Sequence, residues 1–97
     1  MCIDWNDSAE QISRLIRLGG ACSLFRGKRL KIHEAIVVDG ASDAPGALRI
    51  DKAAVSVATS HGSLDIRVVQ PEGKPRMDIA SWINGARPTT GEKLSSE

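Results

Sequence analysis

A chain of 97 residues folds around one hydrophobic core and not two, because a polypeptide of this length buries roughly 60–70% of its extended-state surface. A hydrophobic content of 41% excludes a disordered tail, and 26% charged residues, with no apolar run near the roughly 20 residues a bilayer requires, exclude a membrane span. The formal net charge of +1 makes long-range attraction to nucleic acid weak, so an anionic partner has to be met by locally clustered bases.

The opening MCIDWND carries acids where a signal peptide carries bases and lacks an apolar segment, so a cytoplasmic location is expected. Cys2 and Cys22 have neither CxxC spacing nor nearby histidines. They are expected to be free thiols, with no metal site and no cofactor. Asp7 and Glu10 fit a capping box, in which one carboxylate accepts from the opening amides and the other reaches back. Ala9, Ile12, Leu15, Ile16 and Leu18 then form an apolar stripe at helical period, which Gly19 or Gly20 ends in the left-handed region.

After the helix the period changes to two. Leu30 and Ile32 alternate with Lys31 and His33, Val55 and Val57 flank Ser56, and Leu64, Ile66 and Val68 alternate with Asp65 and Arg67. Arg26-Gly27-Lys28 and Ser60-His61-Gly62 are turns joining antiparallel neighbours, and Asp39 to Gly46 is a polar surface loop. Roughly five short strands with one apolar face need closure or a covering helix, and a small barrel supplies both. A second, short helix is expected over Asp78 to Asn84, and the two tryptophans read as core or domain-contact anchors. The predicted domain spans 1–97.

Nothing in this pattern assembles a catalytic group. His33 falls at an outward strand position and His61 in a turn, with no serine or cysteine partner brought alongside, and neither Gly19-Gly20 nor Gly62 belongs to a phosphate-loop pattern. The bases are more informative. Arg26, Lys28, Arg29 and Lys31 share one hairpin, Lys74 and Arg76 precede the second helix, and Arg87 follows it. Lys28, Arg29 and Lys31 cannot all face one way on a strand of period two, and by themselves such residues are more often ordinary solvated surface than a binding face. Phe25, Trp5 and Trp82 are the only aromatics, so the composition allows contact with a nucleic-acid backbone and disfavours base-specific readout.

Residues 64 to 94 run from a strand through a basic turn into a short helix and a glycine-punctuated tail. Gln70, Gly73, Lys74, Met77, Gly85, Gly91 and Leu94 match a Q-x-x-G-K-x-x-M turn, a terminal helix and a G-x-x-L tail. Upstream, IDWNDSAEQISRLIR places Ile3, Asp4, Trp5, Ala9, Ile12, Ile16 and Arg17 on an I-D-W helix ending in I-R, and SLFRGKRLKIHEA and APGAL supply two further segments in order. Together these resemble the C-terminal domain of the 10-formyltetrahydrofolate-dependent formyltransferases, above all the methionyl-tRNA formyltransferases. The chain departs from the pattern at LGGACS, where many members have a proline-containing turn.

The resemblance implies a mainly β fold: a small OB-like antiparallel barrel with an N-terminal helix and a short C-terminal helix packed on its outside. It implies a non-enzymatic module, since the catalytic Asn, His and Asp and the folate pocket of the resembled enzymes lie in an N-terminal Rossmann-like domain without counterpart in these residues. The expected partners are tRNA, bound weakly by its backbone, and a formyltransferase catalytic domain in cis or in trans, with no membrane. Carried over by motif, the phosphate-facing residues are Lys28, Arg29, Lys31, Lys74, Arg76 and Arg87, while Arg17 could instead pair within the fold. The alternative is the accessory or structural domain of a nucleotide-sugar or hydrogenase-maturation formyltransferase that does not bind RNA.

Overall fold

The computed structural model describes residues 3–38 and 44–95, so most of the loop expected at Asp39 to Gly46 lies outside it. The first helix, α1, spans Ala9–Arg17 and buries Ala9, Ile12, Ser13 and Ile16. Its cap differs from the expected one. Ser8, not Asp7, is the N-cap, accepting from Gln11 N–H at 3.3 Å, while Gln11 Oε1 accepts from Ser8 N–H at 3.3 Å. The box is therefore built one residue later, because Ala9 must be the first buried position of the stripe. Leu18 has left that stripe and is 79% exposed, since Gly19 and Gly20 at positive φ turn the chain away directly after it.

Among the described residues six strands follow: β1 (Ala21–Phe25), β2 (Lys28–Val38), β3 (Leu48–Asp51), β4 (Ala54–Ala58), β5 (Ser63–Pro71) and β6 (Met77–Asp78), and α2 (Ile79–Ala86) follows them. The sheet order is β1-β2-β5-β4-β3 with every pair antiparallel. One edge of β5 pairs with β2, and the other is shared by β4 and, at Val68 and Val69, by β6. Arg26 and Gly27, at φ 53° and 79°, form the two-residue hairpin turn between β1 and β2, matching the twist that two positive-φ residues impose.

Strands β2 and β5 each carry an irregularity. Ile32 pairs with Val69, Glu34 with Val68 and Ala35 with Ile66, so His33 and Arg67 have no register partner. One extra residue flips the side-chain alternation beyond it. Leu64 and Ile66 point into the core, but the next inward residue is Val69 and not the expected Val68, which is half-buried. The same irregularity makes His33 half-buried, its Nε2 2.9 Å from Gln70 Oε1, where an exposed strand histidine was expected.

One core results. Trp5, Ile12, Ile16, Leu30, Ile32, Val55, Val57, Leu64, Ile66, Val69 and Trp82 are buried in a single cluster. α2 does more than cover the outside: Ile79 and Trp82 reach the interior beside Leu48, Val55 and Leu94, leaving a void of about 10 Å³. That void is no larger than the roughly 10–15 Å³ that a single water needs. The two outer strands, β1 and β3, are not paired with each other. Instead the tail runs between them, with Ser95 bridging to Leu24 and Lys93 to Ala47, and Leu94 buried between the two.

Cys22 is disulfide-bonded, correcting the expectation of free thiols, while Cys2 lies outside the described residues. Ile3 N–H donates to Cys22 O at 2.8 Å, which lays the N-terminal segment against the start of β1. Sequence spacing carries no sign of that contact. Among the described residues no helix is long and apolar enough to cross a membrane.

Candidate nucleic-acid interface

The β1–β2 hairpin brings Lys28 and Arg29 to the sheet end where β5 gives way to the Glu72-Gly73 turn. Register sets this meeting: Leu30 lies opposite Pro71 and Lys31 opposite Gln70, so the bases of β2 face the turn that carries Lys74. Glu72 N–H donates to Arg29 O at 3.0 Å and Lys74 N–H to Pro71 O at 3.1 Å. Gln70 braces the same turn. Its Nε2 donates to Lys74 O at 3.1 Å while its Oε1 faces His33 Nε2.

Between the hairpin tip, this turn and α2 lies a groove of about 490 Å³. Lys28, Arg29 and Lys74 stand on its rim with Glu72, and Leu30, Pro71, Met77 and Trp82 form its floor. A neighbouring groove of about 410 Å³ runs across the other face of the turn and includes Arg29, Lys31 and Gln70. Four of the six expected phosphate-facing residues thus adjoin one another, with Arg29 common to both grooves. Arg76 and Arg87 are exposed but line neither.

Arg26, from the same hairpin, has a different role. Its Nε and Nη2 donate to Glu92 at 2.7 and 2.9 Å, Nη1 donates to Ala86 O at 3.0 Å and Nη2 to Arg87 O at 3.3 Å. Its guanidinium also lies 4.7 Å from the Phe25 ring centroid. Arg26 therefore fastens the hairpin to the end of α2 and to the tail, with its donors already committed. Hydrogen bonds from Arg26 and from the Thr89 backbone hold the Glu92 carboxyl down at about 2. At the start of α2 the Asp78 side chain accepts from Ser81 N–H at 3.3 Å, and its carboxyl is held below the ordinary value by Ser81.

Sequence reasoning found the bases but not their supports. Gln70 stood in the motif without a role, and reading Pro71 to Lys74 as a tight turn, with Gly73 at φ 77°, would have placed it within reach of Lys74 O. The histidines are far apart in role: His33 contacts Gln70, whereas His61 sits in the β4–β5 turn, its N–H bonded to Thr59 Oγ1 at 3.1 Å. Among the described residues no three His, Cys, Asp or Glu side chains converge as a metal site would require.

Residues 1–87 match the family described as "Formyl transferase, C-terminal domain". The chain belongs to that family. Methionyl-tRNA formyltransferases of Streptococcus pneumoniae strains Hungary19A-6 and 70585 are each 41% identical to this formyltransferase C-terminal domain over an alignment of 98 positions that covers 95% of the chain. The enzyme of serotype 4 strain TIGR4 matches it equally. The domain spans 32% of the length of these curated relatives. Its mainly β architecture, an antiparallel sheet with an N-terminal and a short C-terminal helix, is the one the resemblance implied, although the sheet is not closed by pairing of β1 with β3.

Proposed function

We propose that this formyltransferase C-terminal domain is the non-catalytic, tRNA-contacting part of a methionyl-tRNA formyltransferase, acting in the cytoplasm and assisting formylation of initiator methionyl-tRNA. The observation that carries the reading is the convergence of Lys28, Arg29 and Lys74 on one groove rim with Lys31 on the adjoining one, in a chain 41% identical to enzymes named for that tRNA. Arg76 and Arg87 extend the basic face beyond the grooves. Such a face neutralises phosphates and orients a duplex without reading its sequence. The catalytic domain is the second partner, in cis or in trans. Leu18 and Ile36, 79% and 50% exposed, are apolar side chains that a docked domain would cover.

A tRNA titration across several salt concentrations tests the reading. Binding is micromolar or weaker, and neutralising about four phosphates gives a log–log salt slope near −3 to −4 on the duplex scale. Replacing Lys28, Arg29 and Lys74 with alanine flattens the slope by roughly one for each phosphate no longer neutralised, and leaves preference among tRNAs unchanged. Binding that is absent at low salt, or indifferent to the triple substitution, turns the assignment to a formyltransferase domain of the nucleotide-sugar or hydrogenase-maturation type. Incubated with 10-formyltetrahydrofolate and methionyl initiator tRNA, the chain alone gives no turnover above background.

A further inference from the structure

The rim of the larger groove is charged, yet its floor is not. A duplex backbone needs a basic face and no cleft, whereas this cleft of about 490 Å³ falls in the size range of small-molecule sites. Met77 and Pro71 are half-buried on its floor, with Leu30 and Trp82 closing it beneath, and Gly85 and Ala86 keep the α2 wall low. Among the described residues the rim carries Lys28, Arg29 and Lys74 with the carboxylate of Glu72, which accepts from Arg29 N–H at 3.4 Å. Arg26 also borders the groove, but its donors are taken by Glu92 and the end of α2. An anion joined to a flat apolar body is the ligand that satisfies both layers.

We propose that this groove seats one unstacked nucleotide of the bound RNA, its base inserted over Met77 and Pro71 and its phosphate held by Lys28, Arg29 and Lys74. The proposal rests on the RNA-binding reading above and deepens it, adding a single-stranded contact to a duplex-tracking face. The apolar floor makes the seat tolerant of base identity, and Ser81, whose hydroxyl bonds Asp78, is the polar residue that α2 adds to the lining.

Gly85 separates the two layers experimentally. It lies on the groove wall in α2, and a Cβ there meets nothing within 4 Å, so Gly85→Leu adds an apolar side chain at the groove wall without removing a basic residue or straining the helix. The full chain is titrated with a single-stranded RNA and with a duplex RNA of equal phosphate number, and uridine and adenosine 5′-monophosphates are added while the Met77 methyl and Trp82 indole resonances are followed. The expected result is a preference of roughly tenfold for the single strand, about the weight of covering one base face with apolar surface. Shifts confined to Met77 and Trp82 accompany the monophosphates. Gly85→Leu abolishes the preference and leaves the salt slope intact; should that variant fail to fold, Ser81→Leu blocks the same cleft from the start of α2. Equal binding of both RNAs with a normal salt slope overturns the nucleotide seat and spares the RNA-binding reading. No RNA binding at low salt overturns both. Shifts produced by an acidic peptide bearing a leucine, and not by the monophosphates, overturn the proposal in favour of protein docking.

Discussion

Arg26 and Gly46 show how single residues hold this domain together. The Arg26–Glu92 pair is solvent-exposed, so its contribution is modest, but its pH dependence has a definite sign. Because Glu92 is depressed from 4.5 to about 2 in the folded state, its stabilisation is fully present above about 4.5 and is lost as pH falls toward about 2. The stability difference between the native chain and Arg26→Ala, measured by urea melts, is therefore constant near neutrality and shrinks across that acid window. Gly46 is under a harder constraint. At φ 89° a Cβ would sit 2.5 Å from Leu94 O, while Leu94 N–H donates to Gly46 O at 2.8 Å and holds the two backbones together. Gly46→Ala costs on the order of 2–3 kcal/mol through strain and clash. Gly27→Ala, at φ 79° with nothing within 4 Å, costs only about 1 kcal/mol, and chemical denaturation of the two variants separates these effects.

Helix α1 and the β2–β5 ladder carry the element-scale tests. Ser8→Ala removes the N-cap acceptor and costs about 1 kcal/mol, while Asp7→Ala leaves stability nearly unchanged, which distinguishes the cap in the fold from the one the sequence suggests. Val69→Ala, in a side chain wholly buried beyond the irregularity, costs about 2 kcal/mol. The same change at half-buried Val68 costs well under that, and equal losses in thermal or urea unfolding would contradict the register. The stripe of α1 and the alternation of Leu30, Ile32, Val55, Val57, Leu64 and Ile66 were legible because helical and strand periods are local properties of the chain. Strands β1 and β3 were less so, being short and bounded by loops whose patterning is weak. The phase change at His33 and Arg67 was not legible at all, since it exists only in the pairing of two distant strands.

At the scale of the whole molecule the tail decides whether the sheet has edges. Leu48 N–H donates to Glu92 O at 2.7 Å, and Leu24 and Ser95 exchange backbone bonds at 2.9 and 3.0 Å, so residues 92–95 satisfy groups on both outer strands. Leu94→Ala leaves a cavity beside the interior void and costs about 2–4 kcal/mol. Removing everything after Gly91 exposes both edges, and the truncated chain loses cooperative unfolding and gains a tendency to self-associate, readable by calorimetry and light scattering.

The sequence by itself determined the class of this protein: a mainly β fold with a helix before and after the strands, a family carried by short segments in order, and bases gathered on one hairpin and one turn. The helix, the strands and the clustered bases follow from periodicity and spacing, which act between near neighbours, whereas the family follows from the resemblance of the quoted motifs. Tertiary structure alone decided that Arg26 is a clasp and not a ligand, that Cys22 is bridged, that Val69 replaces Val68 in the core, and that Lys28, Arg29 and Lys74 share one apolar-floored groove. Each of these depends on which strand edges meet and in what register, and that is settled by burying a common core, to which no single segment contributes enough to reveal its partners.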